Sequence, residues 1–278
     1  MLVCAAVLGG GCTKEAETVS VRFRATSLGV DIESMSTKGT SSGADLGDVV
    51  STIGYVVLTP SLGYVTGESV SFNPATESAP DDFGVFSAVL PVGSYVVRMY
   101  AYGAGTGLIT MSRNTEQFEG YDRDFFYLSQ DLNVTAEQDT YDLSVPREAA
   151  MLRVNITDDV PASVTKVTYS ISTKEKRAGS SAADNMSTAR EYQATKTGSK
   201  LDTKDIYIPF PARNPSVTLN IKVYEGSDTE SYSVPVQVSM YSNRRTVVSG
   251  RLFDTLNGKD LSVTIQDTWG ADNNVNLQ

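Results

Sequence analysis

Apolar and polar residues alternate through most of this chain. Val19-Ser20-Val21-Arg22-Phe23-Arg24 sets Val19, Val21 and Phe23 on one side and a serine with two arginines on the other. A period of two is that of a strand with one face buried and one face wet. Residues 53–58 (Ile-Gly-Tyr-Val-Val-Leu) form a nearly continuous apolar run, as in a buried strand. Residues 85–90 and 94–102 read as two more strands, and Pro91-Val92-Gly93 between them reads as a tight turn. On the second, Tyr95, Val97, Met99 and Ala101 share one face, while Val96, Arg98, Tyr100 and Tyr102 share the other.

The pattern continues over residues 125–128, 140–145, 151–156, 164–171, 206–210, 217–224, 232–238, 245–253 and 261–265, with Gly, Pro, Asn and Ser clusters between the runs. No stretch keeps helical spacing for longer than about three turns. Many short strands divided by turn signals predict an all-β sandwich or barrel. Pro146-Arg147-Glu148 lies about midway, after one predicted strand and just before the next. Taken as a boundary, it gives two β-sandwich domains of ordinary size, 19–145 and 146–278, behind a signal and linker over 1–18. Residues 34–47, rich in Ser, Thr and Gly, and 178–187, rich in Ala and Ser, read as surface loops.

Composition narrows the chemistry. The formal net charge is −10, which repels nucleic acid phosphates and anionic headgroups, so no nucleic acid partner is expected. There is no histidine, which removes Ser–His and Cys–His nucleophile pairs and imidazole metal sites. The two cysteines are Cys4 and Cys12; cleavage at Cys12 leaves the folded body without a thiol. No phosphate-binding glycine loop or nucleophile elbow occurs. These features point away from an enzyme, and no catalytic residue, metal or cofactor is assigned.

Weaker constellations have plainer readings beside them. Asp81-Asp82 is a carboxylate pair of the kind that hydrolyses glycosides, but adjacency in sequence does not set the required separation, and a solvated acidic loop is the simpler reading. Asp122-Arg123-Asp124 and Asp272-Asn273-Asn274 carry oxygen ligands without a calcium-loop pattern. Tyr95, Tyr100, Tyr102, Tyr121 and Phe126 offer a sugar-stacking platform, or else core aromatics. Lys174-Glu175-Lys176-Arg177 reads as a solvated hairpin tip.

The N-terminus reads MLVCAAVLGGGCTKEAE: a short apolar run, three glycines, Cys12, then charge. The run is too short to span a bilayer as a helix, which takes ~20 apolar residues, and long enough for the core of a secretory signal. Gly9, Gly10 and Gly11 before Cys12 resemble a bacterial lipobox, in which the cysteine is lipidated and becomes the new N-terminus. Thr13-Lys14-Glu15-Ala16-Glu17 resembles the acidic signal that exports some lipoproteins of Bacteroidia to the cell surface.

Several later motifs line up behind this signal. Leu90-Pro91-Val92-Gly93-Ser94-Tyr95 resembles the P-x-G-x-Y hairpin of transthyretin-like sandwiches. The run from Pro146 to Val154 resembles the opening of a second such domain. Asn243-Arg244-Arg245-Thr246 with Gly250-Arg251-Leu252-Phe253 resembles a penultimate hairpin, and Leu261 to Ile265 followed by Trp269 a last strand. In this order they resemble the fimbrillin-like superfamily of Bacteroidia, nearest to its anchoring and accessory subunits. The resemblance implies two tandem transthyretin-like sandwiches. It also implies a structural subunit or anchor of a surface fimbria, in an outer membrane to which it is lipid-tethered at Cys12. Its partners would be other fimbrial subunits, with a host or bacterial surface ligand as a further candidate. Assembly would proceed by strand exchange, with Val19, Val21 and Phe23 on the exchange candidate. Arg22 and Arg24 would be the arginines open to an Arg-directed protease, and an anchor would keep that strand. The alternative is a surface glycan-binding lipoprotein of a polysaccharide uptake system.

Overall fold

A computed structural model describes residues 17–28, 46–103, 108–112, 115–119, 123–176, 185–208, 216–226, 229–253 and 260–266. Cys12, Tyr121, Asp122, Arg177, Trp269, Asp272-Asn273-Asn274, and most of the loops expected over 34–47 and 178–187 lie outside these residues.

The first half contains β1 (Thr18–Ser27), a helical turn α1 (Leu46–Val49), β2 (Thr52–Leu58), β3 (Tyr64–Ser71), β4 (Val85–Pro91), β5 (Gly93–Tyr102), β6 (Leu108–Ser112), β7 (Thr115–Glu119), β8 (Phe125–Val134) and β9 (Thr140–Ser144). One sheet has the order β4-β1-β9 and a second the order β3-β2-β5-β8; β6 and β7 pair with each other. The alternation is the cause. Val21, Phe23 and Ala25 of β1 are buried, as are Ile53, Tyr55 and Val57 of β2 and Tyr95, Val97, Met99 and Ala101 of β5. These side chains from the two sheets merge into one apolar cluster, which is the two-layer solution that half-apolar sheets require.

Pro91-Val92-Gly93 departs from its expected role. β4 and β5 do not pair, because β4 belongs to the three-stranded sheet and β5 to the four-stranded one. The segment is a corner that carries the chain between layers, and the Tyr95 hydroxyl closes it by donating to the Pro91 carbonyl at 2.8 Å. A proline and a glycine mark a change of direction without saying which sheet the next strand joins.

The second half contains β10 (Ala150–Ile156), β11 (Val164–Lys176), β12 (Asn185–Gln193), the two-residue strands β13 (Lys196–Thr197) and β14 (Lys200–Leu201), β15 (Lys204–Ile208), β16 (Ser216–Glu225), β17 (Thr229–Ser239), β18 (Arg245–Arg251) and β19 (Asp260–Gln266). Its sheets run β15-β10-β18-β19 and β12-β11-β16-β17 around a second apolar cluster. The expected penultimate hairpin is a turn at Asn243, with φ of 57°, leading into the single strand β18. Lys174, Glu175 and Lys176 belong to β11 itself rather than to a loop.

The two halves repeat one topology. β1 pairs antiparallel with β4 and parallel with β9; β10 pairs antiparallel with β15 and parallel with β18. The order β3-β2-β5-β8 maps onto β12-β11-β16-β17 strand for strand. The chain is all-β and built as tandem sandwiches.

The halves meet through a third, smaller cluster of Tyr100, Phe125, Ala149 and Met151, with Tyr102, Tyr127 and Tyr207 packed against it. The connecting segment is held on both sides. Tyr127 donates its backbone N–H to Pro146 and Glu148 donates to Phe125, while Asn243 donates to Ala149 and Met151 to Arg244.

Candidate assembly surface

β1 is the central strand of its sheet. Phe23 is fully buried, paired in register with Phe86 of β4 and Tyr141 of β9, and its ring lies 5.3 Å from that of Tyr55 in the facing sheet. Val21 is buried, and Val19 is half-buried against the same cluster. Three neighbouring positions on one face therefore form part of the floor of the first sandwich.

The arginines of β1 point the other way. Arg22 is exposed, and its backbone N–H donates to the Asp139 carbonyl at 2.7 Å. Arg24 is exposed and forms a two-pronged pair with Asp142 of β9, Nε to Oδ1 at 2.7 Å and an Nη to Oδ2 at 3.0 Å. The hydrogen bond and the opposite charge lift the Arg24 pKa and lower that of Asp142. The second half makes the equivalent clamp to the other neighbour, with Arg153 of β10 gripping Asp205 of β15 at 2.7 and 2.9 Å.

The two small sheets differ in one respect. In the second half, β19 pairs antiparallel along the outer edge of β18. In the first half, β9 is the topological equivalent of β18, and among the described residues no strand lies on its outer edge. The Arg22 bond to Asp139 fixes the facing. Residues 139, 141 and 143 turn their backbone groups toward β1, and residues 140, 142 and 144 turn theirs outward. The Gln138 side chain donates to the outward Thr140 carbonyl at 3.0 Å. Tyr141 and Leu143 are buried beneath this edge. No run of alternation in the sequence signals this difference between the halves. Only the comparison of the two strand orders reveals it, among the described residues.

The remaining sequence candidates disperse. Tyr95 and Phe126 are core residues, and Tyr100 and Tyr102 belong to the joint between the halves, so these aromatics do not line one exposed face. Asp81 and Asp82 are exposed in the turn before β4. Asp124 is taken up by Arg147, as an ion pair at 2.8 Å with the arginine side chain fully buried.

The chain matches no family model and no curated protein. Its fold is found among solved structures. A structure described as candidate polysaccharide-binding proteins from Bacteroides thetaiotaomicron VPI-5482 aligns with a TM-score of 0.54 at 12% identity, covering 90% of this chain and 96% of that one. A candidate adhesin from the same strain aligns at 0.50 and 10% identity, covering 91% and 97%. The fimbrial anchor protein Mfa2 from Porphyromonas gingivalis gives 0.45 at 8% identity, covering 89% and 97%. At these identities the likeness is one of fold.

Proposed function

We propose that this protein is a structural subunit or anchor of a cell-surface fimbria, divided at 145/146 into two sandwiches. In this reading Cys12 carries a lipid that tethers it to the outer membrane, and neighbouring subunits join it by adding a β-strand. The observation that carries the reading is that, among the described residues, no strand lies on the outer edge of β9, at the position where the second half holds β19. A bare edge with apolar residues beneath it is a template for another strand. An incoming segment running antiparallel to β9 would gain ~1.5–3 kcal/mol for each apolar side chain it buries, before ordering costs. β1 itself stays in place. Its removal would uncover Phe23's site and separate β4 from β9, so Arg22 and Arg24 remain uncut, as suits an anchor. The sharing of this fold with proteins described as adhesins supports a surface role. The scattering of the aromatics weighs against the glycan-binding alternative.

Asp142→Pro removes an outward N–H from β9 while sparing the ladder to β1, and Asp142→Asn keeps that N–H. Mixing each with the subunits encoded beside this gene is expected to give SDS-resistant complexes with the wild type and the Asn variant and none with the Pro variant. Equal assembly by all three, or no assembly by any, overturns strand addition at β9. For the tether, Cys12→Ser is expected to abolish palmitate labelling and release the protein from membranes; continued retention overturns the lipid.

A further inference from the structure

Five large apolar side chains are exposed among the described residues, and three of them stand at one end of the first sandwich: Leu62 at 49% exposure, Val92 at 42% and Val89 at 68%. Strand register places them together. Leu58, the last residue of β2, lies opposite Val96, and Gly93, the first of β5, lies opposite Val134. The turn 59–63 and the corner at Val92 therefore project from the same end, away from Tyr100 and Phe125 at the joint with the second half. Val89 sits on the flank, on the outer face of β4 opposite Ser20.

Both tips are held in place by hydrogen bonds. The Leu62 N–H donates to the Thr59 carbonyl at 2.8 Å, and the Gly63 N–H donates to the Thr59 hydroxyl at 2.9 Å. The Val92 N–H donates to the Glu17 carbonyl at 2.8 Å. Leu62 has a φ of 64°, a left-handed conformation that a leucine rarely adopts. Glycine or asparagine would relieve that strain and would also be better hydrated, so the fold alone gives no reason for a leucine there. Strained backbone collects where a contact is made, and exposed apolar groups gathered in one place mark a surface that something else covers.

The length of chain leading to this end limits what can cover it. The bond from Val92 fixes Glu17 here. Cys12 lies five residues earlier, and five residues reach at most ~18 Å. A lipid on Cys12 therefore keeps Leu62 and Val92 close to the surface of the bilayer that holds it. Charge selects the headgroup. Glu17, Asp131, Glu137 and Asp139 are exposed around the tips, and residues 17–20, 59–63, 89–94 and 131–139 include no lysine or arginine. Such a rim repels anionic lipid and suits the cationic group of a zwitterionic one.

We propose that this end of the first sandwich rests on a bilayer of zwitterionic lipid, with Leu62 and Val92 in the boundary between headgroups and acyl chains and the four carboxylates among the headgroup cations. The inference rests on the reading that Cys12 is lipidated, and adds to it a second, reversible contact. Apolar groups that bind at an interface sit ~5–10 Å into that boundary. A lipid tether alone leaves the protein free to tumble. This contact fixes its orientation, and the joint with the second half, at the other end of β5, then faces away from the bilayer.

The test uses the full chain as isolated from membranes, reconstituted in phosphatidylcholine vesicles. Mass spectrometry of the N-terminal peptide reads the lipid on Cys12. Leu62→Cys, Val92→Cys and Val263→Cys, the last at an exposed position in β19, each carry an NBD fluorophore, and lipids spin-labelled near the headgroup act as quenchers. Labels replacing Leu62 and Val92 are expected to emit at shorter wavelength and to be quenched about threefold more than the label replacing Val263. Leu62→Asp, with an unchanged melting temperature, is expected to remove most of the quenching of the label replacing Val92. Exchanging part of the phosphatidylcholine for phosphatidylglycerol is expected to weaken that quenching. An unmodified Cys12 overturns the tether and the docking with it. Lipid on Cys12 with equal quenching at all three positions overturns the docking alone. Quenching that strengthens with phosphatidylglycerol overturns the zwitterionic surface.

Discussion

Arg147, in the segment between the halves, places its fully buried guanidinium against Asp124 just before β8, 2.8 Å from Nη2 to Oδ2, and stacks over Phe126 with 5.1 Å to the ring centre. Another guanidinium nitrogen points at the Asn243 side-chain oxygen, 3.5 Å away, in the turn before β18. One side chain thus touches both halves and the segment joining them. Burial pushes the Asp124 carboxyl above its ordinary range, and Arg147 pulls against that shift.

Removing one partner of a buried pair strands the other. Arg147→Met is expected to cost ~3–5 kcal/mol in urea unfolding, since it leaves an uncompensated carboxylate at the joint. The double variant Arg147→Met with Asp124→Leu is expected to recover most of that loss. Equal destabilisation by the single and double variants would show that the charges are not coupled.

Gly54 makes room for the joint. A Cβ there would lie 2.5 Å from Cζ and Oη of Tyr100, which crosses over Gly54 toward Ser69. Tyr100 in turn packs against Met151 and Ala149 of the second half. Gly54→Ala is expected to cost ~1–3 kcal/mol by forcing Tyr100 aside, and to raise acrylamide access or proteolysis at the joint. A melting curve that overlays the wild type would refute the close approach.

Phe23→Ala empties a fully buried site between two sheets. It is expected to cost ~3–5 kcal/mol, as large core aromatics do. Arg24→Ala, which breaks only an exposed pair screened by solvent, is expected to leave the denaturant midpoint nearly unchanged. Denaturant midpoints of the two variants measure the contrast.

The tyrosines set a limit at high pH. Burial raises the pKa of Tyr55, Tyr95, Tyr100, Tyr169 and Tyr232, most of all Tyr169. A raised phenol favours the neutral folded form, so its contribution is whole below the ordinary tyrosine value of ~10 and is lost as pH climbs above it. Stability is expected to fall steeply above pH ~10, with phenolate absorbance at 295 nm rising in step with unfolding. A full phenolate signal in a still-folded protein would contradict this.

What was readable in the chain follows from which residues had to be buried. β1, β2, β5 and β10 carry alternating or continuous apolar residues and are legible at once. β3 is not, because its residues Tyr64–Ser71 include none that is buried, and a strand at a sheet edge needs no apolar face. β12 escapes because its sequence, Asn185–Gln193, shows no apolar alternation, and β13 and β14 because two residues are too short to show a period. The corner at Pro91-Val92-Gly93 was visible as a turn and invisible as a crossing between layers. The Arg147–Asp124 pair joins residues 23 apart, and in the sequence Asp124 reads as one of a group of oxygen ligands and Arg147 as part of a boundary, with nothing to link them. That no strand covers β9 among the described residues has no sequence signature, because the difference from β18 becomes visible only when two half-chains are compared as folded objects.

The parallel pairing of β1 with β9 has a mechanical consequence. β1 begins at Thr18 beside Pro91 and ends at Ser27 beside Ser144, two residues before Pro146. A strand of this length spans ~30 Å, so the chain enters the first sandwich at the pole opposite the linker. A pull between the start of β1 and the second half would draw β1 and β9 along their length in opposite directions. Load then falls on the whole ladder in shear instead of opening its bonds one by one, the pulling direction in which a ladder holds best.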